Sequence, residues 1–141
     1  MPEKIIELET KMGKGWKVTA QVREHTLVID QPTAGNEGAN PLETFLFSLG
    51  GCISAIARMV AREQKIDLRG MNIKVRGEMN SDGLLGKASE DPVGFRRITL
   101  DADIDADMTA EQKQQFLDTV CHRCPVHDNL LSASRVEHQS I

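Results

Sequence analysis

The sequence predicts a mixed domain of helices and antiparallel strands, on three observations. Residues Asn40 to Ile66 carry apolar side chains at helical spacing, short alternating segments stand before and after them, and further helical signals fill the C-terminal third. Residues 1–141 are taken as one domain. A chain of that length can bury a real core, though a partner subunit often helps at this size.

The N-terminus offers three short strands, Lys4 to Glu9, Trp16 to Val22 and Thr26 to Asp30. In the second, Trp16, Val18, Ala20 and Val22 alternate with Lys17, Thr19, Gln21 and Arg23, which predicts one buried and one wet face. Gly13 to Gly15 and Arg23 to His25 supply the turns of an antiparallel meander. A Gly- and Asn-rich loop, Pro32 to Ala39, then leads into the long helix.

Asn40 is a good N-cap for that helix, and Pro41 fits its first position with φ already set. Leu42, Phe45, Leu46, Leu49, Ile53, Ile56 and Val60 form the stripe expected to be buried. Cys52 stands on its shoulder, directly after Gly50 and Gly51. Two glycines inside a helix cost roughly 1 kcal/mol each relative to alanine, which points to close approach by another element.

Beyond the helix, Met71 to Met79 and Phe95 to Asp105 alternate as strands, separated by a loop from Asn80 to Val93. The acidic series Asp101, Asp103, Asp105 and Asp107 reads as a solvated edge, since alternate Asp alone is a weak calcium signal. Thr109 to Gln112 has the form of a capping box opening a second helix through Phe116, Leu117 and Val120. Arg135 to Gln139 is expected to be a closing strand.

Charge and composition narrow the function classes. With 17 basic and 21 acidic side chains, a formal net charge of -4 and only four Phe and one Trp, the chain makes a poor nucleic-acid binder. There is no run of about eighteen apolar residues and no basic-then-apolar N-terminal pattern, so the expectation is a cytoplasmic protein without a membrane partner. Three cysteines are an odd number, and a reducing compartment keeps them as thiols. Chemistry is a better reason for them than stapling.

The chemistry concentrates in Cys121-His122-Arg123-Cys124-Pro125-Val126-His127. Pro125 suits the first position of a new helix carrying Leu130 and Leu131, which makes Cys124 its N-cap. A thiol at a helix N-terminus with Arg123 and His127 nearby is expected to have a lowered pKa.

Pro41 eleven residues before Cys52 on a long helix rich in small residues, followed by Cys124-Pro125-Val126, resembles the OsmC/Ohr family of thiol-dependent peroxidases. The order of strands, long helix, strands, helix and second cysteine resembles the family over essentially the whole chain. The resemblance implies an α+β fold in two chains that intertwine as a homodimer, with the active sites at the subunit interface. It also implies that Cys52 attacks an organic hydroperoxide to become a sulfenic acid, and that Cys124 resolves it as an intrachain disulfide. An external dithiol, lipoyl groups in the Ohr branch, then reduces that disulfide, and no bound cofactor or metal is implied. A thiolate-to-sulfenic-to-disulfide sequence needs such a second thiol close by to stop overoxidation.

The family pattern further implies an arginine from the N-terminal strands that holds the thiolate and a glutamate after the helix-opening proline that orients it. Arg23, at the end of the second strand, is the nearest candidate for the arginine. Glu43 is the candidate glutamate, one place later than in the peroxidases, as in the more divergent OsmC-like branch. Nine residues from Cys52, it lies on the opposite side of an ideal helix.

Other readings stand beside this one. Cys121 is a helix-face residue or an exchange partner for Cys124 in a C-x-x-C pair. Cys121, Cys124 and His127, with His122 or His25, are zinc-type ligands, although no second paired cluster exists to close a tetrahedral site. A protein that keeps fold and thiols while sensing oxidants or binding a small ligand is the remaining alternative.

Overall fold

The computed structural model describes residues 2–141. The architecture is α+β, and the chain divides into two compact units, one ending at Phe45 and one spanning Leu46–Ile141.

The first unit is a three-stranded antiparallel sheet, β1 (Glu9–Met12), β2 (Val18–Val22) and β3 (His25–Ile29), in the order β1-β2-β3. The first strand lies later in the chain than the alternation of Lys4 to Glu9 predicts. Its pairing grows from the glycine turn, with Met12 opposite Val18 and Glu9 opposite Gln21. The connection sets the register of a hairpin, so the pairing starts where the five-residue loop 13–17 ends. Val22 faces His25 across a two-residue turn at Arg23 and Glu24, where Arg23 takes a left-handed φ of 53°. The second strand starts two residues later than its alternation predicts, so Trp16, expected to be buried, lies in the turn before it and is 70% exposed. Asp30 closes the sheet's exit: its buried carboxylate accepts from the backbone N–H groups of Gln31 (2.8 Å) and Glu37 (3.1 Å), fixing the glycine-rich loop.

The helix α1 (Pro41–Glu63) begins in the first unit and continues through the second. Its start is a reciprocal capping box: Glu43 N–H donates to Asn40 Oδ1 at 2.8 Å, and Asn40 N–H donates to Glu43 Oε1 at 2.9 Å. By length and composition alone the helix is apolar enough to cross a membrane, with a mean hydropathy of 1.6. The long uninterrupted run that the sequence lacks is replaced by a pattern of apolar, Gly and Ser residues. Only its inner stripe is buried, through Leu49, Ile53, Ala57, Val60 and Ala61.

In the second unit that stripe packs with β4 (Gly70–Glu78), β5 (Arg97–Asp105), α2 (Ala110–His122) and α3 (Pro125–Leu131). The strands pair antiparallel, placing Met71 opposite Ile104, Ile73 opposite Ala102 and Val75 opposite Leu100 on the core side. The other side pairs opposite charges, Lys74 with Asp101 and Glu78 with Arg97. Gly50 is where α1 and β4 meet, since a Cβ there would lie 3.2 Å from Val75 Cγ2; nothing comparable faces Gly51. Asp105 and Asp107 are engaged by the Arg69 guanidinium at 3.0 and 3.1 Å, so the acidic series ends in an ion cluster. The segment 133–141 forms no strand, and its Val136 is 81% exposed. Its alternation pairs with neither edge of the two-stranded β4–β5 sheet.

Candidate active site

Cys52 lies in the fourth turn of α1, half-buried, one residue before the fully buried Ile53. Cys124 has no exposed surface and is the N-cap of α3, with β-region angles of φ −84° and ψ 114° and Pro125 at the first helical position. Two elements place it there. The capping box of α2, in which Thr109 Oγ1 accepts from Gln112 N–H at 3.1 Å, starts that helix in register, and buried Phe116 and Val120 hold it to the core. At its other end, the Arg123 guanidinium donates to both carboxylate oxygens of Glu63 at 2.6 and 3.1 Å. This bidentate pair ties the junction of α2 and α3 to the last turn of α1.

The two sulfurs meet as a result. The Cys124 S–H donates to Cys52 Sγ at 2.9 Å, across 72 residues of sequence. One small side-chain movement separates this contact from a disulfide bond of about 2.05 Å.

The electrostatics reverse the expectation for Cys124. Its pKa is raised from 9.0 to about 11. Burial is the largest cause, followed by the hydrogen bond to Cys52; the backbone N–H groups of His127 and Val126 pull the other way and lose. The His127 N–H reaches Cys124 Sγ at only 3.4 Å, and the Arg123 charge is spent on Glu63. A short helix offers a weak dipole, whereas complete desolvation of a thiolate is expensive.

Cys121, half-buried, belongs to the last turn of α2 and has its thiol pKa raised by burial and by the Asp118 charge. Among the described residues no group of three or more His, Cys, Asp or Glu side chains is arranged to hold a metal ion, so Cys121, Cys124 and His127 do not form the zinc alternative.

Arg23 and Glu43 belong to the first unit and have partners within it. Arg23 pairs loosely with Glu24 at 3.7 Å from an exposed turn, and Glu43 completes the capping box with Asn40. The Asn40-x-x-Glu43 spacing is the same signal that marks Thr109-x-x-Gln112, so this role of Glu43 was readable. The Glu63–Arg123 pair was not, because nothing local links charges sixty residues apart.

Comparison with known proteins adds to this geometry. The family model described as OsmC-like protein matches residues 34–139. A protein of Mycoplasma genitalium named hydroperoxide reductase is 30% identical over 104 residues, 74% of this chain and 70% of that one. The crystal structure of an OsmC like protein from Mycoplasma pneumoniae superposes with a TM-score of 0.82 at 22% identity, over 94% of this chain and 91% of the other. The organic hydroperoxide resistance protein OhrB of Bacillus subtilis matches at a TM-score of 0.62 and 20% identity, covering 92% and 93%.

Proposed function

As the chain belongs to the OsmC-like family, we propose that it is a thiol-dependent peroxidase reducing organic hydroperoxides, with Cys52 as the attacking and Cys124 as the resolving thiol. The observation that carries this reading is the 2.9 Å approach of the two sulfurs, with Cys124 as the hydrogen donor. The hydroperoxide reductase name of a relative at 30% identity supports the substrate class.

In this reading each sulfur has its own task. The Cys124 S–H holds Cys52 Sγ in position, and the reactive form of Cys52 is its thiolate. That thiolate attacks the terminal peroxide oxygen; an S–O bond forms, the O–O bond breaks, and the alcohol leaves after taking a proton. Cys124, which holds its proton firmly, then attacks the sulfenic sulfur. The disulfide forms as hydroxide departs, and the Cys124 proton leaves with it as water. An external dithiol of lipoyl type restores both thiols without a bound cofactor. Arg23 and Glu43 remain proposed supports of the thiolate, and the exchange rests first on the two cysteines.

A second copy of the chain completes the protein in this proposal. Phe47 and Met59 on α1 are 78% and 52% exposed, and Met12 and Leu27 of the N-terminal sheet are also exposed. Large apolar side chains left in water on a core helix suit a homodimer interface. Arg58 in the same helix donates to the Leu68 carbonyl at 2.8 Å, a charge that a lipid-facing helix has no use for. Three free thiols suit a reducing cytoplasmic setting.

The test is consumption of cumene hydroperoxide beside hydrogen peroxide, with dihydrolipoamide as reductant. Cys52→Ser is expected to abolish turnover, and Cys124→Ser to replace turnover by overoxidation of Cys52. A wild type indistinguishable from Cys52→Ser would instead mark a fold that keeps its thiols for oxidant sensing or ligand binding.

A further inference from the structure

The third cysteine is joined to the pair by backbone geometry. Cys121 to Cys124 is a four-residue turn closed by the Cys124 N–H donating to the Cys121 carbonyl at 3.2 Å. Such a turn holds its end Cα atoms within about 7 Å, and a disulfide needs about 4.4–6.8 Å. Cys121 and Cys52 both pack against the cluster that contains Cys124, so three thiols share one piece of core.

They differ in access. Cys124 has no exposed surface, whereas Cys121 lines a cavity of about 460 Å³. The cavity has an apolar side of Leu100, Leu117 and Leu131 and a polar side of Asp118, His122, His127 and Asp128, with the thiol between them. An apolar side beside a thiol fits a dithiol carried on a hydrocarbon stem.

From this arrangement we infer that Cys121 is a third redox thiol, which moves the disulfide from Cys52–Cys124 to Cys121–Cys124 and presents it to an external dithiol in this cavity. The inference rests on the peroxidase reading for the origin of the first disulfide. Cys121 gives its proton to water in the cavity, and its thiolate attacks Cys124 Sγ. The Cys121–Cys124 bond forms while the Cys52–Cys124 bond breaks, and the electron pair returns to Cys52 as thiolate. A thiolate of the external dithiol then attacks Cys121 Sγ and releases Cys124, which is reprotonated. The second thiol of the reductant displaces Cys121 and closes its own disulfide. Two electrons pass from the dithiol to the protein, and Cys52 is free for the next peroxide before reduction is complete.

Diamide as oxidant tests this without any hydroperoxide, so failure of the peroxidase reading and failure of the relay are separable. In Cys52→Ser protein, diamide is expected to produce an intrachain Cys121–Cys124 disulfide, identified by non-reducing peptide mapping. In diamide-oxidised Cys121→Ser protein, re-reduction by dihydrolipoamide is expected to slow by about tenfold against the wild type, because the attack then has only the buried Cys124 sulfur and the half-buried Cys52 sulfur to reach, neither of which lines the cavity. Two thiols left free in the Cys52→Ser protein, or wild-type re-reduction of Cys121→Ser, overturns the relay.

Discussion

The starts of α2 and α3 solve the same problem in different ways. Thr109 caps α2 with an oxygen at 3.1 Å and receives a reciprocal bond, as Gln112 Oε1 accepts from the Thr109 N–H at 2.9 Å. Cys124 caps α3 with a sulfur at 3.4 Å, and its own hydrogen points to Cys52 instead. The α2 start is built for the helix; the α3 start gives up a good cap to hold a thiol in place. Burial then supplies what the cap does not, since Cys124 lies in the same cluster as Ile53, Phe116 and Val120.

The sharpest way to break this contrast is to exchange sulfur for oxygen. Cys124→Ser is expected to eliminate dithiol-coupled turnover while changing unfolding free energy by no more than about 1 kcal/mol, because serine is a competent cap. Denaturant titration and peroxide consumption on one sample check both halves. A collapse of stability alongside activity would show that the sulfur is structural.

Next in size is the core behind the thiols. Ile53→Ala removes a side chain with no exposed surface, and is expected to cost ~2–5 kcal/mol. If Ile53→Ala cost less than the cap of α2, packing could not be what holds α3 in place. Thr109→Ala comes after it, with an expected loss of about 1 kcal/mol and wild-type thiol oxidation. A strong loss of oxidation in that variant would mean that the α2 cap also serves the site.

The last expected effect, confined to alkaline solution, is a dependence on pH that only one of the two caps can show. Folded Cys124 holds its proton up to about 11, while the unfolded thiol titrates at 9.0. Between these values the folded state binds more protons, so stability is complete below about 9 and declines as pH rises towards about 11. Melting curves of wild type and Cys124→Ser should diverge in that window and run together below it. Parallel curves throughout would place the titration elsewhere.

How much of this was legible varies with how local the signal is. Both oxygen caps, the long helix, and Pro125 opening α3 after Cys124 are written in spacings of a few residues, and the structure has them all. The strand at Arg135 to Gln139 failed because alternation gives only a propensity, and a strand exists only where an edge accepts it. Burial of Trp16 failed because the strand begins only at Val18, which leaves Trp16 in the turn before it. The lowered pKa failed at Cys124 because the charges near it in sequence point elsewhere: Arg123 faces Glu63.

By itself the sequence determined the helices, their starts, the alternation of β4 and β5 and the thiols available for chemistry, since these depend on dihedral preference and periodicity over a turn or two. Only the tertiary structure decided that Cys52 and Cys124 meet at 2.9 Å and that burial raises the Cys124 pKa. Distance across 72 residues and desolvation are properties of packing, and no local pattern encodes either.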